Sequence, residues 1–89
     1  MADRIYKYPL DVVDVQEITT HEGAELLSVQ INRDQVCVWV RVDTTKPKEQ
    51  RRLFIHGTGH DIHPDVTKFV GTFQMRMGTL VFHLFDSQL

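Results

Sequence analysis

The chain has 89 residues, 42% of them hydrophobic and 25% charged, with ten Lys plus Arg against twelve Asp plus Glu for a formal net charge of -2. That size gives one small domain with a modest core, for which self-association is a common source of stability, and the near balance of charge supplies no basic field for nucleic acid. A single cysteine, Cys37, leaves no intramolecular disulfide and no zinc site built on cysteine pairs.

A reducing, cytoplasmic setting follows from that cysteine usage. The charged start Met1-Ala2-Asp3-Arg4 leads into no apolar stretch suited to a signal peptide or a membrane span. From Arg4 to Tyr8 the residues alternate loosely, and Pro9, which has no N–H, suits an edge strand. Asp11 to Ile18 is a second extended run, with Val13 and Val15 expected to face the core and Asp14 and Gln16 to face away. Ile18-Thr19-Thr20-His21-Glu22-Gly23 then breaks the pattern with a turn.

Ala24 to Ile31 has helix-favouring residues, but Leu27, Val29 and Ile31 alternate with Ser28 and Gln30, which predicts a strand. Asn32-Arg33-Asp34 is hairpin chemistry, because Asn and Asp tolerate a left-handed backbone. The clearest strand is Val36 to Asp43, where Val36, Val38, Val40 and Val42 form one branched apolar face and Cys37, Trp39 and Arg41 form the other. A polar loop from Thr44 to Gln50 leads into a strand Arg51 to His56, and Gly57 to Asp65 is a loop broken by Gly57, Gly59 and Pro64. The period of two returns from Lys68 to Met77, with Phe69, Phe73, Met75 and Met77 on one face. Gly71 interrupts that face, marking a bulge or the close approach of another backbone. Gly78 marks a hairpin into Leu80 to Phe85, which is apolar on both faces, and the tail from Asp86 is expected to fray. Six to seven short strands with at most one short helix predict an all-β fold, a small antiparallel sandwich or barrel.

The segment from Phe54 to His63 concentrates histidines, glycines and a carboxylate. His56, Gly57, Thr58, Gly59 and His60, with Arg51 and Arg52 nearby, have the composition of a cradle for a small anionic ligand, because two glycines let backbone N–H groups point into one concavity. The lysine and second spaced glycine of a P-loop are missing, and no motif calls for a cofactor. The plainer reading is a tight turn closing a small sheet. A metal set of His56, His60 and His83 is the alternative, although glycines stand where the helix of a two-histidine metalloprotease would run. Catalysis by Thr58 or Cys37 beside His60 and Asp61 has no spacing that brings the groups together. Lys46, Lys48, Arg51 and Arg52 form the basic cluster, with Trp39 and Arg41 placed across from it on a neighbouring strand as a partner surface. A solvated loop that guards an edge strand would carry the same residues.

The segments Lys7-Tyr8-Pro9-Leu10, Asp14-Val15-Gln16, Gly23-Ala24, Trp39, Gly57-Thr58-Gly59-His60, Val70-Gly71-Thr72-Phe73-Gln74 and Leu80 to Phe85 together resemble a group of small, uncharacterised β-rich domains of bacteriophages and bacterial genomes. The resemblance runs over nearly the whole chain, and it transfers no catalytic residue, because that group has no assigned activity. It implies a compact phage or prophage product in the host cytoplasm that blocks a host protein or sequesters a nucleotide-like ligand. The expected protein is therefore a non-enzymatic binder and homo-oligomer that antagonises host defence, with a histidine-based or metal-dependent enzyme and a virion component as the alternatives.

Overall fold

The computed structural model describes residues 2–87. Seven strands follow in chain order: β1 (Asp3–Pro9), β2 (Val15–His21), β3 (Glu25–Asn32), β4 (Gln35–Asp43), β5 (Lys48–Gly57), β6 (Lys68–Met75) and β7 (Leu80–Ser87). They form two antiparallel sheets, one ordered β1-β4-β3 and the other β2-β5-β7-β6, with no helix among the described residues.

The first sheet is organised by β4. Val36, Val38, Val40 and Val42 are all at most 3% exposed, and each fully buried valine contributes about 1.5–3 kcal/mol relative to an exposed one. They meet Leu53, Ile55 and Leu84 of the second sheet in one core with Leu26, Val29 and Phe73. The β3–β4 hairpin turns on Arg33 and Asp34, both left-handed at φ 52° and 65°, between the facing residues Asn32 and Gln35. That is the two-residue turn whose twist matches the strands it joins.

Two bulges alter the faces expected from simple alternation. In β3 the register shifts between Leu26 and Ser28, so Leu26 and Val29 are buried whereas Leu27 is 41% exposed. In β6 the shift lies between Phe69 and Gly71, which separates two phenylalanines expected on one face. Phe73 is buried and stacks on Phe82, while Phe69 turns outward against Phe85. Gly71 combines the bulge with close packing, because a Cβ there would lie 2.9 Å from Val29 Cγ1 of the opposing sheet. Val15 also departs from expectation: it faces Phe54 on the outer side of the second sheet and is half exposed, while Ile18 and Thr20 point inward. Val13, which precedes β2, is exposed as well. Pairing with β5, rather than local hydropathy, fixes this choice of face.

The β7 strand is interior to its sheet, between β5 and β6; Leu84 is buried in the core, whereas Val81 and Phe85 on the outer face are half-buried. It runs on through Asp86 and Ser87, both buried, so these residues of the expected fraying tail are part of the sheet. Residues 88 and 89 lie outside the described residues.

Inside the sandwich the Arg51 guanidinium bonds Asp86 Oδ2 at 2.8 Å and the Ala24 carbonyl at 3.0 Å, with Glu49 at 3.6 Å. The two paired side chains are 7% and 1% exposed. Removing one member of such a pair leaves a buried, uncompensated charge. Arg51→Met is expected to destabilise the fold by about 3 kcal/mol or more, and adding Asp86→Leu to recover much of that loss, read from urea unfolding midpoints in a double-mutant cycle.

A second polar anchor joins the start of β1 to the end of β4. Asp43 Oδ1 accepts from Thr45 N at 3.0 Å, Thr45 Oγ1 at 2.6 Å and Ala2 N at 3.3 Å, and these donors hold its carboxyl down at about 2. Because the folded value lies below the ordinary carboxylate value of about 3.9, its stabilisation is complete above that value and is lost as pH falls towards 2. Unfolding free energy measured between these limits is expected to fall less steeply in Asp43→Asn than in the wild type.

Candidate functional site

The outer face of the second sheet carries the histidine segment. Register places Val15, Phe54, Phe85 and Phe69 in one row across the four strands, and His56, His83 and Thr72 in the next. Phe54 points outward yet is only 1% exposed, because the loop after β5 folds back over it and stacks the His63 ring at a centroid distance of 4.5 Å.

Hydrogen bonds to ring nitrogens hold that loop down. The His63 N–H donates to His56 Nε2 at 3.1 Å, and the Asp65 N–H donates to His63 Nδ1 at 3.0 Å. Each ring nitrogen must be unprotonated to accept, so in the neutral rings His56 carries its proton on Nδ1 and His63 on Nε2. His83 lies between two hydroxyls, with Thr58 Oγ1 at 2.8 Å from Nε2 and Thr72 Oγ1 at 2.9 Å from Nδ1. His60 lies over Gly57, where a Cβ would come within 3.0 Å of its ring, so a larger residue there would require the His60 side chain to shift. Gly59 is left-handed at φ 88° in the same turn.

Between loop and sheet is an open hollow of about 350 Å³ lined by Asp14, Val15, Phe54, His56, His60, Asp61, Ile62, His63 and Pro64. Val15 and Ile62 are 50% and 57% exposed. Its surface is thus apolar and aromatic, with the two carboxylates Asp14 and Asp61 as the acidic groups among its lining.

The residues expected to form one ligand site are only partly brought together. His56, Gly57, Thr58, Gly59 and His60 belong to the strand end and turn beside the hollow. Arg51 does not join them: it faces the interior and is bonded to Asp86. Arg52 is on the outer face, 3.8 Å from Asp65, and lines a separate small hollow with Glu17, Gln50 and Ser87. The turn's amides are also engaged, with Thr58 N donating to Val81 O at 3.2 Å and His60 N to Gly57 O at 3.1 Å. His56, His60 and His83 do not converge, and among the described residues no three His, Cys, Asp or Glu side chains are placed to hold a metal ion. Thr58 meets His83 rather than His60, while Cys37 is buried in the other sheet.

The expected partner surface is divided as well. The connection from β4 to β5 passes from one sheet to the other, so Trp39 and Arg41 are not on a strand neighbouring the basic cluster. Both lie on the outer face of the first sheet. Arg41 bonds Asp3 at 2.7 Å, and that carboxylate raises the guanidinium pKa further. Lys46 lies in the connecting turn, its carbonyl 2.8 Å from His21 Nδ1, and exposed Lys48 opens β5 opposite His21.

Val15, Asp14 and Ile62 were absent from the sequence-based site. Adjacency to Asp61 and His63 was a signal for Ile62, but nothing local signals that Val15 faces Phe54. His56→Ala is expected to raise the exchange rate of the His63 amide by about fivefold, the equivalent of about 1 kcal/mol of lost hydrogen bonding, in hydrogen–deuterium exchange.

Comparison with curated proteins and with solved structures gave no match. A family model described as a domain of unknown function (DUF7352) matches residues 1–89. The chain belongs to that family.

Proposed function

We propose that this protein is a non-enzymatic binding domain that occupies the surface of another protein through the hollow beside the histidine loop. The observation that carries this reading is the composition of the hollow: exposed Val15 and Ile62 stand beside Phe54 and two carboxylates. An apolar anchor point with charged margins suits a partner's apolar side chain flanked by a basic one. The use of His56 Nε2 and His63 Nδ1 as acceptors for loop amides supports a binding role over a catalytic one, since a general base needs a free nitrogen within reach of its substrate.

The phage or prophage origin, the bacterial cytoplasm and a host protein as target extend this proposal through the resemblance of the Gly57-Thr58-Gly59-His60 and Leu80 to Phe85 segments to small phage domains. A host-defence antagonist is the form it would take. No helix among the described residues is long and apolar enough to cross a membrane. Capture of a nucleotide-like anion is the weaker reading, because Asp14 and Asp61 line the hollow and Arg51 is committed elsewhere.

The test is native mass spectrometry of tagged protein recovered from a bacterial host lysate, comparing wild type with Ile62→Asp and Val15→Arg. A host protein retained by the wild type and lost from both folded variants is the expected outcome. Retention by both variants would move the contact elsewhere, and a mass excess matching a nucleotide would replace protein binding with sequestration.

A further inference from the structure

We propose that β1 is a dimerisation edge that adds a second copy of this chain, antiparallel, about a two-fold axis at Ile5. The proposal is independent of the hollow on the other sheet. Within its sheet, β1 has β4 as its single neighbour. The flanking backbone bonds Thr44 N→Ala2 O at 3.0 Å and Leu10 N→Val36 O at 2.8 Å continue the β1–β4 register, in which Arg4 faces Val42 and Tyr8 faces Val38. They show that the even-numbered residues direct their N–H and C=O groups towards β4. Since the two backbone groups of one strand residue point the same way and successive residues alternate, Asp3, Ile5 and Lys7 direct theirs to the open edge. All three residues are exposed.

An unpaired edge of this kind is a template for strand addition, and its sequence is self-complementary in one register. With the axis at Ile5, Ile5 faces Ile5 of the second copy, and Asp3 faces Lys7 in both directions. These three odd-numbered pairs are of the hydrogen-bonded type, giving about six backbone bonds across the axis. On the outer face the 64% exposed Ile5 side chain meets its own copy between two pairs of opposite charge. On the inner face, Arg4 faces Tyr6, a cation opposite an aromatic ring. Pro9, which has no N–H, falls beyond these pairs.

Sliding the register by two residues towards Pro9 places Ile5 opposite Lys7 and breaks both charge pairs. The open edge of β2 has no equivalent pattern, because its outward residues Val15, Glu17, Thr19 and His21 include one acid and no Lys or Arg, and the His21 side chain is buried. Lysine and proline often protect an edge from pairing. Here Lys7 would find Asp3 opposite, and both residues already take part in polar contacts of their own sheet, with Asn32 at 3.3 Å and Arg41 at 2.7 Å.

Sedimentation equilibrium of the full chain over a concentration series tests the proposal. The wild type is expected to be dimeric, and Lys7→Asp, which places like charges opposite each other twice, to weaken dimerisation by about tenfold. Asp3→Lys is expected to weaken it similarly. Mixing these two variants should restore a heterodimer, which general destabilisation by either substitution would not produce. Ile5→Pro removes an edge-facing N–H without removing a donor to β4, so it is expected to give a folded monomer by circular dichroism and sedimentation. A monomeric wild type, or a dimer unchanged by Lys7→Asp and Asp3→Lys, would overturn the proposal. If Ile5→Pro does not fold, the charge-reversal mixture alone decides it.

Discussion

The buried pair between Arg51 and Asp86 is the constraint on which the surrounding architecture turns. Its guanidinium joins β5 to β7 through the carboxylate and reaches the crossover between β2 and β3 through the Ala24 carbonyl. One buried guanidinium thus ties β5 and β7, already paired in register, to the segment that leads into β3. A charge held there is stable only while its partners are in place, so the pair penalises any arrangement that separates them. It also removes Arg51 from the surface and changes the chemistry available to the histidine loop.

That loop illustrates how a cluster of reactive-looking residues can serve the fold. The ring nitrogens of His56 and His63 accept backbone N–H groups that would otherwise lack partners at the sheet surface. His63 also covers Phe54, which would otherwise present a large apolar face to water. The result is a fixed rim around an apolar hollow rather than a set of free bases. The binding reading rests on this division of labour, with side chains of the rim organising the loop and Val15 and Ile62 left exposed at its edge.

The two sheets therefore offer different kinds of surface. The second sheet has the hollow, whose shape depends on a loop and on contacts between distant strands. The first sheet has the β1 edge, whose character depends on the order of residues along one strand and on which backbone groups β4 leaves unpaired. A second copy joined at that edge would extend the first sheet while leaving the outer face of the second sheet open for another partner.

Much of the fold was legible in the chain. The alternating valines of β4 identify a core face because a strand presents every second residue to one side, and Asn32 to Asp34 identify a hairpin because few residues accept a left-handed backbone. Gly71 marked a bulge or the close approach of another backbone; the structure has the bulge, and its close neighbour is the Val29 side chain. The bulges themselves defeated simple alternation: Leu27 was expected to share a face with Val29, and Phe69 with Phe73, and one shifted residue in each strand separated them. The histidine turn was legible as a place, but its chemistry was not, since composition cannot show that Arg51 faces inward or that Val15 lies opposite Phe54. The sequence by itself determined strand periodicity, turns and the charge order along β1, which are local properties of consecutive residues. Only the tertiary structure decided which sheet each strand joins, which face is buried and which nitrogen atoms are occupied, because those depend on partners far away in the chain.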